Sequence, residues 1–269
     1  MSFGIRAPAA SPVGDACWEL FHENSKISHA DPPVPRGAQG QARRHTSRFA
    51  TELYPAVTLP PSAVPIEIGL TTILARTGAR ARLAPAPLTL PQLATLLHCA
   101  YGVTGPDEDV PGRLVRTVSS AGAVYPLDIV FHTRSVEHLD PGMYHYSPVR
   151  HELHRLLDGD QTATIASALL DRSLAVDASM ILFITAAFSV LTDCFGERGY
   201  RHALVEAGHV SQNLALAATG LGLACVSIRD FFDRRVDALL RLDGVRHSTV
   251  HIVAVGVGTA TSSAGHVTG

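Results

Sequence analysis

The chain has 269 residues, 46% hydrophobic and 17% charged, with a formal net charge of −2 when its histidines are neutral. That size and balance allow a substantial core in one large or two small domains, and exclude a disordered chain. They also place no global electrostatic demand for nucleic acid or an anionic membrane, which leaves small-molecule or peptide chemistry as the expected activity class.

Four cysteines, Cys17, Cys99, Cys194 and Cys225, are scattered without a CxxC pair. This argues against a structural zinc site or a disulfide framework and suits a reducing, cytoplasmic setting. The opening MSFGIRAPAASPVGDACW lacks the apolar core of a secretory signal, and no run approaches the ~18 apolar residues of a membrane span.

In chain order, WELFHENSK reads as a short helix able to dock on the main body, and residues 29–49, rich in Pro, Gly and Arg, read as a loop or mobile arm. Residues 1–65 thus form a partly mobile N-terminal extension, 66–258 the ordered domain, and 259–269 a C-terminal tail. LTLPQLATLLHCAYG places Leu90, Leu93, Leu96, Leu97 and Ala100 at helical spacing, with Thr89 as cap and Gly102 as stop. YPLDIVFHT alternates as a strand, and GMYHYSPVRHELHRL reads as a hairpin turning at Ser147–Pro148.

Residues 161–171 are predicted helical, ASMILFITAAF is a near-continuous apolar run suited to a central strand, and a helix of about 199–219 follows. LACVSI and TVHIVAVG read as two further strands. Without a regular βαβ beat, the fold class is α+β, a sheet flanked by long helices. On the long helix, Gly208, Ser211, Ala215 and Ala218 form a stripe of small residues, which serves either internal packing or a subunit interface.

No P-loop, Rossmann fingerprint or GxSxG elbow is present. Of fourteen histidines, His145, His151 and His154 gather in the hairpin; without partners at ligand spacing they read as surface histidines, and no metal is assigned. ARTGARARL sets Arg76, Arg80 and Arg82 around Thr77 and Gly78, which suits either a phosphate or a solvated basic loop. RTVSSAGAVYP, with Ser119, Ser120 and Gly122, is a tight segment through which backbone can approach a planar ligand. DCFGERGYRHALVEAGH crowds charge at the mouth of the long helix, either as a solvated start or facing a site that moves protons.

The succession of these segments resembles the nitroreductase superfamily, and more narrowly its branch of flavin-dependent dehydrogenases that oxidise azolines to thiazoles and oxazoles in ribosomal peptide natural products. The resemblance covers roughly residues 66–258; PGMYHYSP and GERGYRHALVEAGHVSQNL carry the narrower likeness. It implies an intertwined homodimer with a mixed central sheet, FMN in a cleft formed by both subunits, a peptide or peptide-like substrate, and other biosynthetic enzymes as partners.

Carried over by motif, Arg76, Thr77, Gly78 and Arg80 match a phosphate-binding Arg-Arg-Ser-x-Arg segment, with Thr77 and Gly78 standing where arginine and serine are usual and Arg82 an equal match for the final arginine under a small register shift. Ser119, Ser120 and Gly122 match the Pro-Ser-Ala-Gly loop beside the flavin, and Gly220, Leu221 and Gly222 match its Gly-Leu-Gly turn. The basic residue that often follows the last strand is absent after Val255–Gly256. Where azoline dehydrogenases commonly carry a Lys-Tyr pair, this chain has Cys194 and Phe195.

Azoline aromatisation needs a proton acceptor as well as a hydride acceptor. The resemblance leaves Cys194, with a thiol open to lowering by Arg198 or Arg201, and Tyr200 as the catalytic candidates, with His202 and Glu206 as other bases. An NAD(P)H-dependent nitro- or quinone-type reductase and a non-catalytic scaffold of a peptide-modifying complex are the rival readings.

Overall fold

The computed structural model describes residues 17–26, 47, 49, 53–61, 64–77 and 82–259. The chain runs through α1 (Cys17–Asn24), β1 (Ala56–Thr58), α2 (Leu70–Thr77), β2 (Arg82–Ala84), α3 (Leu90–Tyr101), β3 (Val103–Pro106) and β4 (Leu114–Arg116). A 3-10 turn at Ala121–Ala123 leads into β5 (Leu127–Thr133), then β6 (Gly142–Ser147), β7 (Glu152–Asp158), α4 (Thr162–Ala168), α5 (Ser173–Asp177) and β8 (Met180–Ala187). The remainder is α6 (Phe188–Phe195), α7 (Arg198–Gly220), β9 (Ala224–Ile228), α8 (Asp233–Leu239) and β10 (His247–Thr259).

The sheet order is β1-β7-β6-β5-β8-β10-β2, with β9 also paired to β10. This is the expected α+β architecture, but the sheet is antiparallel at every pairing among the described residues rather than mixed. The reason lies in the connections: β5 to β6 and β6 to β7 are hairpins, and no crossover helix joins sheet neighbours in parallel.

Strand β8 is buried along its whole length because helices cover both faces. Met180, Leu182, Ile184 and Ala186 face one core with the inner stripes of α3 and α7; Ile181 and Phe183 face a second core under α4, α5 and α8. The cap of α3 is the predicted one. Thr89 Oγ1 accepts from the Gln92 amide (3.2 Å), Gln92 Oε1 accepts from the Thr89 amide (3.0 Å), and the Gly102 amide closes the helix on His98 O (2.7 Å).

The N-terminal side takes part in this body. β1 pairs with β7 at the sheet edge and Leu59 is buried. Helix α1 docks on the mouth of α7 as its sequence suggested, whereas most of the predicted 29–49 arm lies outside the described residues. The small-residue stripe of α7 divides, since Ala218 is in the core while Gly208 is exposed with open space where a Cβ would stand.

The hairpin histidines are not surface residues. His145 and His154 are each only 3% exposed, and His151 is half-buried. Strand pairing puts His145 opposite His154 on the face covered by Phe49, so alternation of side chains turns both inward. His145 Nε2 lies 3.2 Å from Asp128 Oδ1 and 3.1 Å from Ser47 Oγ, and His154 Nε2 lies 3.0 Å from Glu152 Oε1.

Candidate functional site

The C-terminal end of α7 meets the end of α2 and the start of β9 around a cavity of about 210 Å3, lined by Arg76, Thr77, Thr219, Gly222, Cys225 and Gly258 among others. Two glycines make this junction. At Gly220 a Cβ would stand 2.5 Å from Ile66 Cγ2, so only glycine lets the helix end settle on Ile66 and Ile73. Gly222 has φ +73°, the left-handed conformation that turns the chain from α7 into β9, and the space where its Cβ would be is open. The Leu223 amide donates to Ala218 O at 2.8 Å and finishes the turn.

Cation and hydroxyl groups converge here. Thr77 Oγ1 donates to Ile73 O (2.7 Å) and lies 3.3 Å from Thr219 Oγ1, which itself donates to Ala215 O (2.8 Å). Both hydroxyl protons are thus committed to helix carbonyls. Both α2 and α7 also present their carboxyl ends, whose dipoles disfavour an anion. An anionic group at this cavity therefore depends on Arg76, which is exposed and has no ion pair among the described residues.

The rest of the lining, Leu223, Ala224 and Cys225, is apolar in effect, because burial pushes the Cys225 thiol up to about 12 and keeps it neutral. One cation beside an apolar slot with an open glycine backbone fits a ligand that joins an anionic tail to a flat ring, and FMN has that constitution. Complete ligand pockets usually measure about 300–1,000 Å3. This cavity is smaller, so the described residues by themselves enclose only part of such a molecule.

The structure thus joins Arg76 and Thr77 to Gly222, three residues singled out from sequence. Gly220 and Leu221 are adjacent, but Gly220 serves helix packing and Leu221 is half-buried against the core. Gly78 and Arg80 lie outside the described residues. Thr219, Cys225 and Gly258 escaped the sequence reading; the first two flank the Gly-Leu-Gly turn by one and three residues, and that nearness was the available signal.

The Ser119–Gly122 segment is not part of the lining of this cavity. Among the described residues no hydrogen bond joins it to Arg76, Thr77 or the 220–222 turn. It is held by α3 and the middle of α7: Asn213 Nδ2 donates to Thr117 O (3.1 Å), and the Arg116 guanidinium lies over the rings of Tyr101 (4.3 Å) and Tyr125 (4.7 Å). Ser120 Oγ accepts from the Tyr125 amide (2.9 Å). Ala123 and Tyr125 have positive φ, of 52° and 54°, backbone strain that the surrounding contacts sustain, while Gly122 takes φ 61° freely.

At the other end of α7 the charged mouth is tied to α1. Arg198 Nη1 donates to Ser25 O (3.1 Å) and Arg201 Nη2 to His22 O (2.6 Å). Tyr200 is 37% exposed, its ring 5.3 Å from Phe21 edge-on and 4.7 Å from Phe188. Cys194 is half-buried; burial, then the neighbouring Asp193 carboxylate, pushes its thiol up. This reverses the lowering by Arg198 or Arg201 that the sequence suggested.

His202 is half-buried against Phe195, and burial, then Arg198, lowers its pKa. Glu206 is 2% exposed and accepts from Tyr101 Oη at 2.7 Å, while burial holds that phenol well above its usual range. Glu206 is therefore a buried structural carboxylate.

The Nitroreductase family profile matches residues 73–258. The chain is 39% identical over 176 residues to the candidate nitroreductase MJ1384 of Methanocaldococcus jannaschii, covering 65% of this chain and 86% of that protein. It is 31% identical over 150 residues to the microcin B17-processing protein McbC of Escherichia coli, covering 49% of this chain but only 51% of McbC. Among solved structures, the E. coli microcin synthetase McbBCD complex with truncated pro-MccB17 bound contains a chain that superposes with a TM-score of 0.59 at 22% identity, covering 90% of this chain and 87% of that one. No described helix is long and apolar enough to cross a membrane.

Proposed function

The chain belongs to the nitroreductase family, and from that premise we propose that it is an FMN-dependent oxidoreductase acting on a peptide or peptide-like metabolite, with azoline-to-azole dehydrogenation as the specific form of the reaction. The observation that carries this reading is the cavity where Arg76 and Thr77 meet the turn at Gly222. The likeness to McbC supports the peptide substrate and the association with other biosynthetic enzymes.

Bound FMN supplies a two-electron acceptor at its ring. Arg76 would hold the anionic tail by charge-assisted hydrogen bonds, and the open backbone at Gly222 would leave room for the bound group. Leu223, Ala224 and the neutral Cys225 thiol would exclude water from it. A second protomer completes the enclosure that one chain leaves partial, which is the homodimer reading.

Cys194 and Tyr200, at the mouth of α7, are the proposed proton-handling groups. That mouth and the cavity lie at opposite ends of a 23-residue helix, about 30 Å apart, so the pair would act at the flavin site of the second protomer and not at that of its own chain. Because burial and the Asp193 carboxylate raise the Cys194 thiol, it is protonated at neutral pH and accepts the substrate's proton only after passing its own to another group. If Cys194→Ala and Tyr200→Phe both leave substrate conversion at the wild-type rate, neither handles the proton.

The test of the proposal is the absorption spectrum of the protein purified without added flavin, with identification of any chromophore released by acid. Flavin bands, and FMN at about one per chain, are expected. A colourless protein that takes up no added FMN overturns the enzyme reading and leaves a scaffold.

A second reading is favoured by the higher identity to MJ1384: an NAD(P)H-dependent nitro- or quinone-type reductase. Rapid anaerobic bleaching of the flavin by NADPH supports that reading, whereas indifference to NADPH with bleaching by an azoline-containing peptide supports the first.

A further inference from the structure

A second cavity, of about 260 Å3, shares no lining residue with the first. Its walls are Phe49 and Tyr54 from the N-terminal side, Met143 of β6, Leu156 and Leu157 of β7, and the segment that ends α8. Apart from the Tyr54 phenol, the polar side chain on this wall is Arg241.

Arg241 is placed in an unusual way. Its amide donates to Ala238 O (3.2 Å) and the next amide, Leu242 N–H, to Asp237 O (2.8 Å), which closes α8 in a Schellman motif. Arg241 occupies the left-handed position of that motif with φ +56°, where glycine is free of strain and other residues are not. The side chain is exposed and makes no ion pair or hydrogen bond among the described residues. The helix stop therefore carries, at a position that favours glycine, a cation that offsets the negative end of the α8 dipole and stands at the rim of an apolar cavity.

We propose that this cavity is a ligand site separate from the candidate flavin site, and that it takes a small apolar monocarboxylate: an aromatic ring or short alkyl chain within the walls, its carboxylate on Arg241. Size and charge point the same way. An apolar cavity of about 150 Å3 takes one benzene ring, so 260 Å3 has room for a ring and a short chain. A guanidinium fork matches a carboxylate, and a neutral ligand would leave it without a partner. The same chemistry is offered by a free acid and by the C-terminal phenylalanine of a peptide.

The experiment is calorimetric titration of the full chain with phenylacetate, phenylacetamide and N-acetyl-glycyl-phenylalanine, repeated on Arg241→Gly and Leu157→Trp. Glycine suits the left-handed position, so Arg241→Gly keeps or raises the melting temperature. Leu157 is already 36% exposed, so tryptophan is tolerated there while narrowing the cavity. The expected result is saturable 1:1 binding of a carboxylate, at least about 10-fold weaker binding of the amide, and a similar loss in each variant. Tighter binding of phenylacetate than of the peptide identifies a free acid as the source, and the reverse a peptide terminus. Absence of saturable binding at millimolar concentration, equal affinity for the amide, or unchanged affinity in either variant overturns the proposal.

Discussion

The two ends of α7 invert what their sequences advertise. The N-terminal mouth, DCFGERGYR, is dense in ionisable groups, yet its arginines hold α1 carbonyls, its tyrosine lies among aromatic rings and its thiol is raised. The C-terminal end, ATGLGLA, is bland, yet it borders the cavity at which Arg76 stands with no ion pair among the described residues. The difference teaches that a charge already engaged in folding is not available to a ligand. Charge density along the chain locates a helix start; an unengaged cation beside an open backbone locates a site.

The comparison is broken or sharpened first at Arg76. Arg76→Ala is expected to weaken FMN binding by about 10–100-fold while leaving urea unfolding of the flavin-free protein almost unchanged, as read by fluorescence titration. Loss of stability without loss of binding would make the bland end structural after all. Gly222→Ala is next: forcing a Cβ at φ +73° costs about 1–2 kcal/mol, measurable by denaturant unfolding, and narrows the cavity as well.

At the mouth the expected effects are smaller and of the opposite kind. Arg198→Ala together with Arg201→Ala costs about 1 kcal/mol and exposes α1 to limited proteolysis, with FMN affinity unchanged. A strong fall in FMN affinity in that variant would restore the mouth as part of the flavin site.

The smallest effect is a pH dependence remote from both ends. Burial lowers the pKa of His132, outweighing the nearby Asp160 carboxylate, and the neutral ring accepts the Gln161 amide at Nε2 (3.0 Å). Below the unfolded value of about 6.5 the unfolded chain binds a proton that the folded ring resists, so this contribution is intact above that pH and is lost progressively as pH falls toward the folded pKa. His151 and His251 are lowered in the same direction by burial. Stability should decline from pH 7 to pH 5.5, and His132→Asn should reduce that slope in unfolding curves taken across the range.

Much of the fold was legible in the residues. The cap at Thr89, the stop at Gly102 and the apolar run of β8 are local features, written by spacing within a few residues, and each is where the sequence placed it; the hairpin turn follows at residues 148–151, with Ser147 the last residue of β6. The site was legible in part: Arg76, Thr77 and Gly222 were named, but Thr219, Cys225 and Gly258 were not, because no local pattern marks a residue that only tertiary packing turns toward a cavity.

The sequence by itself determined the long helices, the central strands, the α+β class and the family, since period, caps and motif order are properties of a chain read in one dimension. The tertiary structure alone decided the antiparallel sense of the sheet, the burial of His145 and His154, the direction of the Cys194 shift and the lack of an ion pair at Arg76 and Arg241 among the described residues. Each depends on which surfaces meet. Desolvation and pairing are set by neighbours distant in sequence, and they determine which of two identical side chains is engaged in the fold and which is left for a ligand.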